Sequence, residues 1–271
     1  MAGFAGAEAE HCNVTFLTAD SPRLIMWHTP TQRVEPAEDP PHLGGNDGYT
    51  GPALAVGNAY LAGNAAEGRR VLLVNAAVGS TGLCLGEAPP WAAVAVAARA
   101  GDPHGRLYRA AITETRAAAA ALSRAHAGEL NRVAGIFWIQ GEEDGIEGVP
   151  GGVYAAALRA LIAGLRNALA PLQPPAERAR PIPFIIGSMV PDFMALPENA
   201  GLRVIDAAHR EVAASDAAAA FCEGPAGNTC LPGIKKGRPL IHYTPPNAHA
   251  LGALMARALL RMQREEAGQW G

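Results

Sequence analysis

The chain has 271 residues, 49% of them hydrophobic and 17% charged, enough apolar material for a globular core and too little charge for a disordered polyelectrolyte. A formal net charge of −3 excludes the strongly basic surface that nucleic acid or an anionic membrane would select. No uncharged apolar run reaches the roughly 18 residues of a membrane span, and the opening MAGFAGAEAEHC has neither the basic nor the apolar region of a secretory leader.

In chain order, residues 24–27 (LIMW) sit among prolines and read as a strand or an ordered loop. Residues 42–51 are rich in Gly, Asn and Asp and read as a loop. Residues 52–61 have helical apolar spacing, with Pro52 in the first turn. Residues 71–78 (VLLVNAAV), closed by Gly79, have the pattern of a buried parallel strand. Residues 91–100 fit helix or loop. Residues 107–126 form a long Ala-rich helix. Residues 133–140 (VAGIFWIQ) are a second buried strand, running into an acidic turn at 141–145. An amphipathic helix at 153–169 precedes a third strand at 183–190 (PFIIGSMV). A helix at 202–215 leads to a short fourth strand at 218–222. A Gly/Pro-rich loop at 223–240 leads to a last helix at 248–264. Strands alternating with helices predict an α/β fold, a three-layer α/β/α sandwich around a central parallel sheet. With no repeat and no linker, one domain is expected over 1–271.

The four cysteines, Cys12, Cys84, Cys222 and Cys230, lack zinc-site spacing. Cys222 and Cys230 bracket a loop, so a local disulfide and free thiols both fit. No pattern implies a metal or an organic cofactor.

In parallel α/β folds the ligand site lies beyond the carboxyl ends of the strands. Three such places carry chemistry here: Gly79-Ser80-Thr81-Gly82, Gln140-Gly141-Glu142-Glu143-Asp144, and Ile241-His242-Tyr243. Each alone is weak, since a glycine after a strand is usually a turn and a histidine before a helix usually a cap or surface residue. At one sheet edge they become a general base and two oxyanion donors, a backbone N–H and a glutamine amide.

In order along the chain these motifs resemble the sialate O-acetylesterase-like branch of the SGNH hydrolases, which includes carbohydrate esterase family six and related plant esterases. Met26-Trp27 and residues 35–40 resemble the segment after that family's nucleophile loop. Gly51-Pro52-Ala53-Leu54 resembles its Gly-Pro-Glu-Leu helix start. Residues 75–83 (NAAVGSTGL) resemble its Gly-Gly-Thr-Ser-Leu block, followed by Trp91. Residues 137–144 (FWIQGEED) resemble Trp-Tyr-Gln-Gly-Glu-Ser-Asp, the most specific motif. Residues 241–243 and Leu251-Gly252 resemble the terminal histidine block. The resemblance implies a carboxylic ester hydrolase, an O-acetylesterase of acetylated carbohydrate, with a small-molecule or oligosaccharide ester as partner and no cofactor. It implies His242 as the base, Gln140 and Gly79 as oxyanion donors, and Glu142 as a group that orients the site.

Two departures stand out. The family's nucleophile lies in Gly-Gln-Ser-Asn, commonly followed by Met-Ala-Gly, and this sequence begins Met1-Ala2-Gly3. The expectation is that the first strand and its serine lie upstream of residue 1. Many members also carry an aspartate three residues before the histidine, where this chain has Pro239; Glu142 or a backbone carbonyl is left to orient His242. Within the chain Ser80, in the oxyanion loop, is the candidate substitute nucleophile, though its geometry would differ from that of an SGNH nucleophile, and Ser188 reads as structural. The alternative is a non-catalytic carbohydrate-binding or structural relative. Substrate choice would rest with the loops at 39–49, 191–200 and 223–239.

Overall fold

The structure, a computed structural model, describes residues 19–38, 51–64, 69–93, 104–227 and 240–268. The expectations for Met1-Ala2-Gly3, for the loop at 39–49, for Cys12 and Cys230 and for Pro239 lie outside the described residues.

Strand β1 (Leu24–His28) pairs in parallel with β3 (Val71–Leu73), Leu24 opposite Val71. On its other side β1 pairs antiparallel with β2 (Arg33–Pro36), a strand that its charged RVEP sequence did not announce. A second sheet holds β4 (Ile136–Trp138), β5 (Phe184–Gly187) and β6 (Ala219–Cys222), all parallel, in the order β4-β5-β6. In β5 the period of two is plain. Phe184 and Ile186 enter one core, Ile185 enters the core on the opposite face, and all three are fully buried. A parallel strand covered on both faces needs such a continuous apolar run.

Helices α2 (Arg106–Ala125), α4 (Gly151–Leu169), the short α5 (Pro191–Met194) and α6 (Ala200–Ala214) bring Ile112, Leu158, Met194 and Ile205 to the Phe184 side. Helices α1 (Ala53–Gly63) and α7 (Pro245–Gly268) bring Val56, Leu251 and Met255 to the Ile185 side. Helices on both faces of the parallel strands make the three-layer α/β/α sandwich that the sequence predicts. By composition the stretch Gly151–Leu172 is apolar and long enough to cross a membrane. Here Tyr154, Leu158 and Leu161 are fully buried in the core, and Arg159 and Arg166 pair with Glu211 and Asp216.

Three strands are shorter than the sequence predicts. The expected strand at 71–78 is extended only over Val71–Leu73, that at 133–140 only over Ile136–Trp138, and that at 183–190 only over Phe184–Gly187. The two cut to three residues are sheet edges: among the described residues β3 pairs only with β1, and β4 only with β5. A strand with one ladder has half the hydrogen bonds to hold it extended. The acidic turn expected at 141–145 is instead a short helix, α3 (Glu142–Ile146), with three carboxylates in its first turn, where they complement the helix dipole.

Candidate active site

The first wall of the site is the loop after β3. Asn75 Oδ1 accepts the Ala77 N–H at 3.0 Å, and Thr81 donates its hydroxyl to the Val78 carbonyl at 2.8 Å. Trp91 Nε1 donates to Thr81 Oγ1 at 3.0 Å, and its ring stacks edge-on against Trp138 at 5.3 Å. These bonds hold a loop whose tip, Gly79 and Ser80, is exposed. Ser80 has φ of 53°, a left-handed conformation uncommon for a non-glycine residue.

The second wall follows β4. Gly141 has φ of 139°, and a Cβ there would meet Ile205 at 2.7 Å, so only glycine serves. This turn starts α3 and points Asp144 back across the site. Asp144 is fully buried and accepts three hydrogen bonds: Leu83 N–H at 2.7 Å, Cys84 N–H at 2.8 Å and the Gln140 amide at 2.6 Å. Gln140 also donates to the Thr81 carbonyl at 3.1 Å, and Tyr154 donates its hydroxyl to Gln140 Oε1 at 2.8 Å. Asp144 and Gln140 thus tie the two loops together. Both amide hydrogens of Gln140 are engaged within the protein, so service to an oxyanion requires releasing one; the bond to Thr81 is the longer. Burial, helped by the Asp144 charge, pushes the Cys84 thiol up to about 11, which makes it a poor nucleophile at neutral pH.

The third wall is the turn before α7. Tyr243 is 4% exposed and donates its hydroxyl to the Met189 carbonyl at 2.9 Å; Ser188 Oγ lies 3.0 Å away and accepts the Gly224 N–H at 2.8 Å. Tyr243 therefore staples the loop that carries His242 to the carboxyl end of β5, and Ser188 takes part in that joint. Burial lowers His242 to about 4, so at neutral pH its imidazole is in the proton-accepting form. Glu142 is buried as well, and burial raises its carboxyl to about 7, partly offset by a backbone hydrogen bond.

All five residues named from sequence lie at the carboxyl ends of the strands: Gly79 and Ser80 after β3, Gln140 and Glu142 after β4, His242 before α7. Three residues that shape the site were not singled out. Asp144 closes the FWIQGEED motif, and its burial was the missing signal. Tyr154 and His209 sit on helix faces that read as plain core. Cys222 is buried and forms no disulfide among the described residues.

His209 gives the molecule a pH dependence of known sign. It is fully buried, and burial lowers its imidazole from 6.5 to about 3. Between those values the unfolded chain binds a proton that the folded chain refuses, so stability falls as pH drops below about 6.5. The loss approaches roughly 1.4 kcal/mol per pH unit. His242 acts in the same direction. Glu142 acts oppositely: its contribution is full below 4.5 and is lost as pH rises through about 7. Urea unfolding at pH 7 and pH 5 is expected to show the native chain losing about 2 kcal/mol more than His209→Gln; equal losses would count against a buried neutral His209.

No curated protein matches the chain. Residues 1–261 match the family model described as carbohydrate esterase, sialic acid-specific acetylesterase. The chain belongs to this family of carbohydrate esterases. Among solved structures, one similar to it is a protein from Arabidopsis thaliana, with TM-score 0.62 and 20% identity over 89% of this chain and 82% of that one. Another is NanS, with TM-score 0.64 and 16% identity over 90% of this chain and 89% of the other. At these identities the likeness concerns the fold, the α/β sandwich of an SGNH esterase.

Proposed function

We propose that the chain forms the body of an O-acetylesterase for acetylated carbohydrate, working through a serine acyl-enzyme. His242 takes the proton of the serine hydroxyl as it attacks the acetyl carbonyl, then returns it to the departing sugar oxygen. The Gly79 N–H and one Gln140 amide hydrogen hold the oxyanion. Water then attacks the acetyl-serine with His242 again as base; the serine ester bond breaks, acetate leaves, and His242 returns the proton to the serine oxygen. The buried Glu142 carboxyl takes the orienting place that Pro239 leaves empty in the family's pattern. The serine comes on a parallel strand seated between β3 and β4, the position for which both sheets have an unpaired edge among the described residues.

The observation that carries this reading is the clamp of Asp144 and Gln140 on residues 81, 83 and 84. It brings the loop after β3 and the loop after β4 to one place, with the His242 turn at the same sheet edge. A second reading, a non-catalytic carbohydrate-binding relative, draws on the same geometry, because Gln140 spends both amide hydrogens inside the protein.

Fluorophosphonate labelling with peptide mapping separates the two. A chain extended upstream through a Gly-Gln-Ser-Asn motif is expected to label at that serine, and His242→Ala to slow both labelling and acetyl-ester hydrolysis about 100-fold or more. The 271-residue chain is expected to stay unlabelled at Ser80. Labelling of the extended chain at the same rate in the His242→Ala variant would refute the assigned base, and no labelling of it at all would favour the second reading.

A further inference from the structure

Among the buried titratable side chains that the mechanism above leaves unused, His209 stands one hydroxyl away from the oxyanion glutamine. His209 on α6 is 0% exposed, and its Nδ1 has no hydrogen-bond partner among the described residues. A buried polar atom left alone is costly, so its placement calls for a reason. Its other nitrogen, Nε2, lies 2.8 Å from the Tyr154 hydroxyl, and that hydroxyl lies 2.8 Å from Gln140 Oε1.

The protons on this chain follow from Asp144. The Gln140 Nε2 faces two acceptors, the Asp144 carboxylate and the Thr81 carbonyl. The amide is thereby oriented with Oε1 toward Tyr154, which must donate its single hydroxyl proton there. The Tyr154 oxygen is then an acceptor, so His209 must carry its proton on Nε2 and donate it. The nitrogen left bare is Nδ1, the unprotonated one. That is the cheaper atom to bury without a partner, since no N–H is stranded. One arrangement of protons satisfies every bond from α6 to the oxyanion loop.

We propose that Tyr154 and His209 are positioning residues of the esterase site, which lock the Gln140 amide so that its hydrogen on Thr81 is the one presented to the oxyanion. The assignment rests on the esterase reading for its consequence, not for its geometry. Without the donor relay, Oε1 has no partner in the core, and the amide is held from its NH2 side alone, by Asp144 and Thr81. Held from one side, its plane can tilt, and the hydrogen on Thr81 is less well aimed at the site. Both residues act through Gln140 and need not touch substrate.

The test has a spectroscopic arm and a kinetic arm. In the 271-residue chain, nitrogen-15 NMR of His209 is expected to show the Nε2–H tautomer with a slowly exchanging proton. Tyr154→Phe, which preserves ring and shape, is expected to shift the Gln140 side-chain amide resonances and to make their exchange at least 10-fold faster. His209→Ala should do the same, and His209→Gln, which restores a donor, should reverse it. An Nδ1–H tautomer, or Gln140 resonances unmoved by Tyr154→Phe, would overturn the proposal. In the extended chain, with an acetyl ester, Tyr154→Phe and His209→Ala are expected to lower kcat about 10-fold, a partial form of losing an oxyanion donor. KM should stay within twofold, and His209→Gln should recover most of the rate. A fall in KM-side binding alone, or no rescue, would mean a merely structural role. If the extended native chain hydrolyses nothing, the esterase reading fails, and the spectroscopic arm still decides the relay.

Discussion

Replacing Asp144 by alanine is expected to cost about 3–5 kcal/mol of stability and to abolish any hydrolysis. The size follows from what the carboxylate does. It is fully buried and accepts from Leu83 N–H, Cys84 N–H and the Gln140 amide. Removing a buried charged acceptor leaves its partners without bonds, and breaking such a group is among the largest effects a single substitution produces. Asp144→Asn separates charge from shape. The asparagine oxygen can keep one side of the clamp, but its NH2 faces an N–H donor on the other, so a loss of about 2 kcal/mol is expected. The loop clamp has a second reporter in Cys84, whose thiol is held up first by burial and then by the Asp144 charge. Asp144→Asn is expected to make Cys84 react faster with an alkylating reagent at pH 9, in protein shown by circular dichroism to be folded. Urea melts of both variants measure the stability. A loss under 1 kcal/mol for Asp144→Ala would mean that the two loops meet for other reasons.

The sequence carried the helices well. Those at 107–126, 153–169 and 202–215 appear within two residues of the expected bounds, because a long Ala-rich run at 107–126 and an amphipathic period at 153–169 favour helix along most of their length. The strands carried less information. An apolar run shows that a segment can be buried extended, not how much of it finds a partner, so 71–78 and 133–140 each shrank to three residues. Strand β2 was invisible because pairing beside β1 on a half-exposed edge demands no apolar run; Arg33 and Pro36 are exposed there. In the site, residues with chemical names at strand ends were legible, since topology alone brings Gly79, Gln140, Glu142 and His242 to one edge. Tyr154 and His209 were not. Their spacing on α4 and α6 is that of ordinary core positions, and only the distances between 154, 209 and 140 reveal a polar chain inside the apolar cluster.

Seating a parallel strand between β3 and β4 is expected to raise the melting temperature by about 5–15 °C over the 271-residue chain. Neither β3 nor β4 has a ladder partner on its outer edge among the described residues. Val71–Leu73 and Ile136–Trp138 are only partly covered, apart from Trp138, and Val78 just beyond β3 is 44% exposed. Helices α1 and α7 pack on one face of this region, and α2 and α4 on the other, so an added strand would meet apolar side chains on both sides. A strand of about five residues with three or four buried apolar side chains gains roughly 1.5–3 kcal/mol for each of them. Ordering those five residues costs about 1.5 kcal/mol apiece. Two ladders of hydrogen bonds add about 0.5–1.5 kcal/mol per bond. The balance is a few kcal/mol, and in a domain of this size each kcal/mol moves the midpoint by about 2–4 °C. Hydrogen exchange gives the location: amides of β3 and β4 should become protected in the extended chain, while those of β6, at the far edge, should not change. Equal midpoints, or protection gained at β6 or β2 instead, would place any upstream segment elsewhere and would take away the seat proposed for the nucleophile.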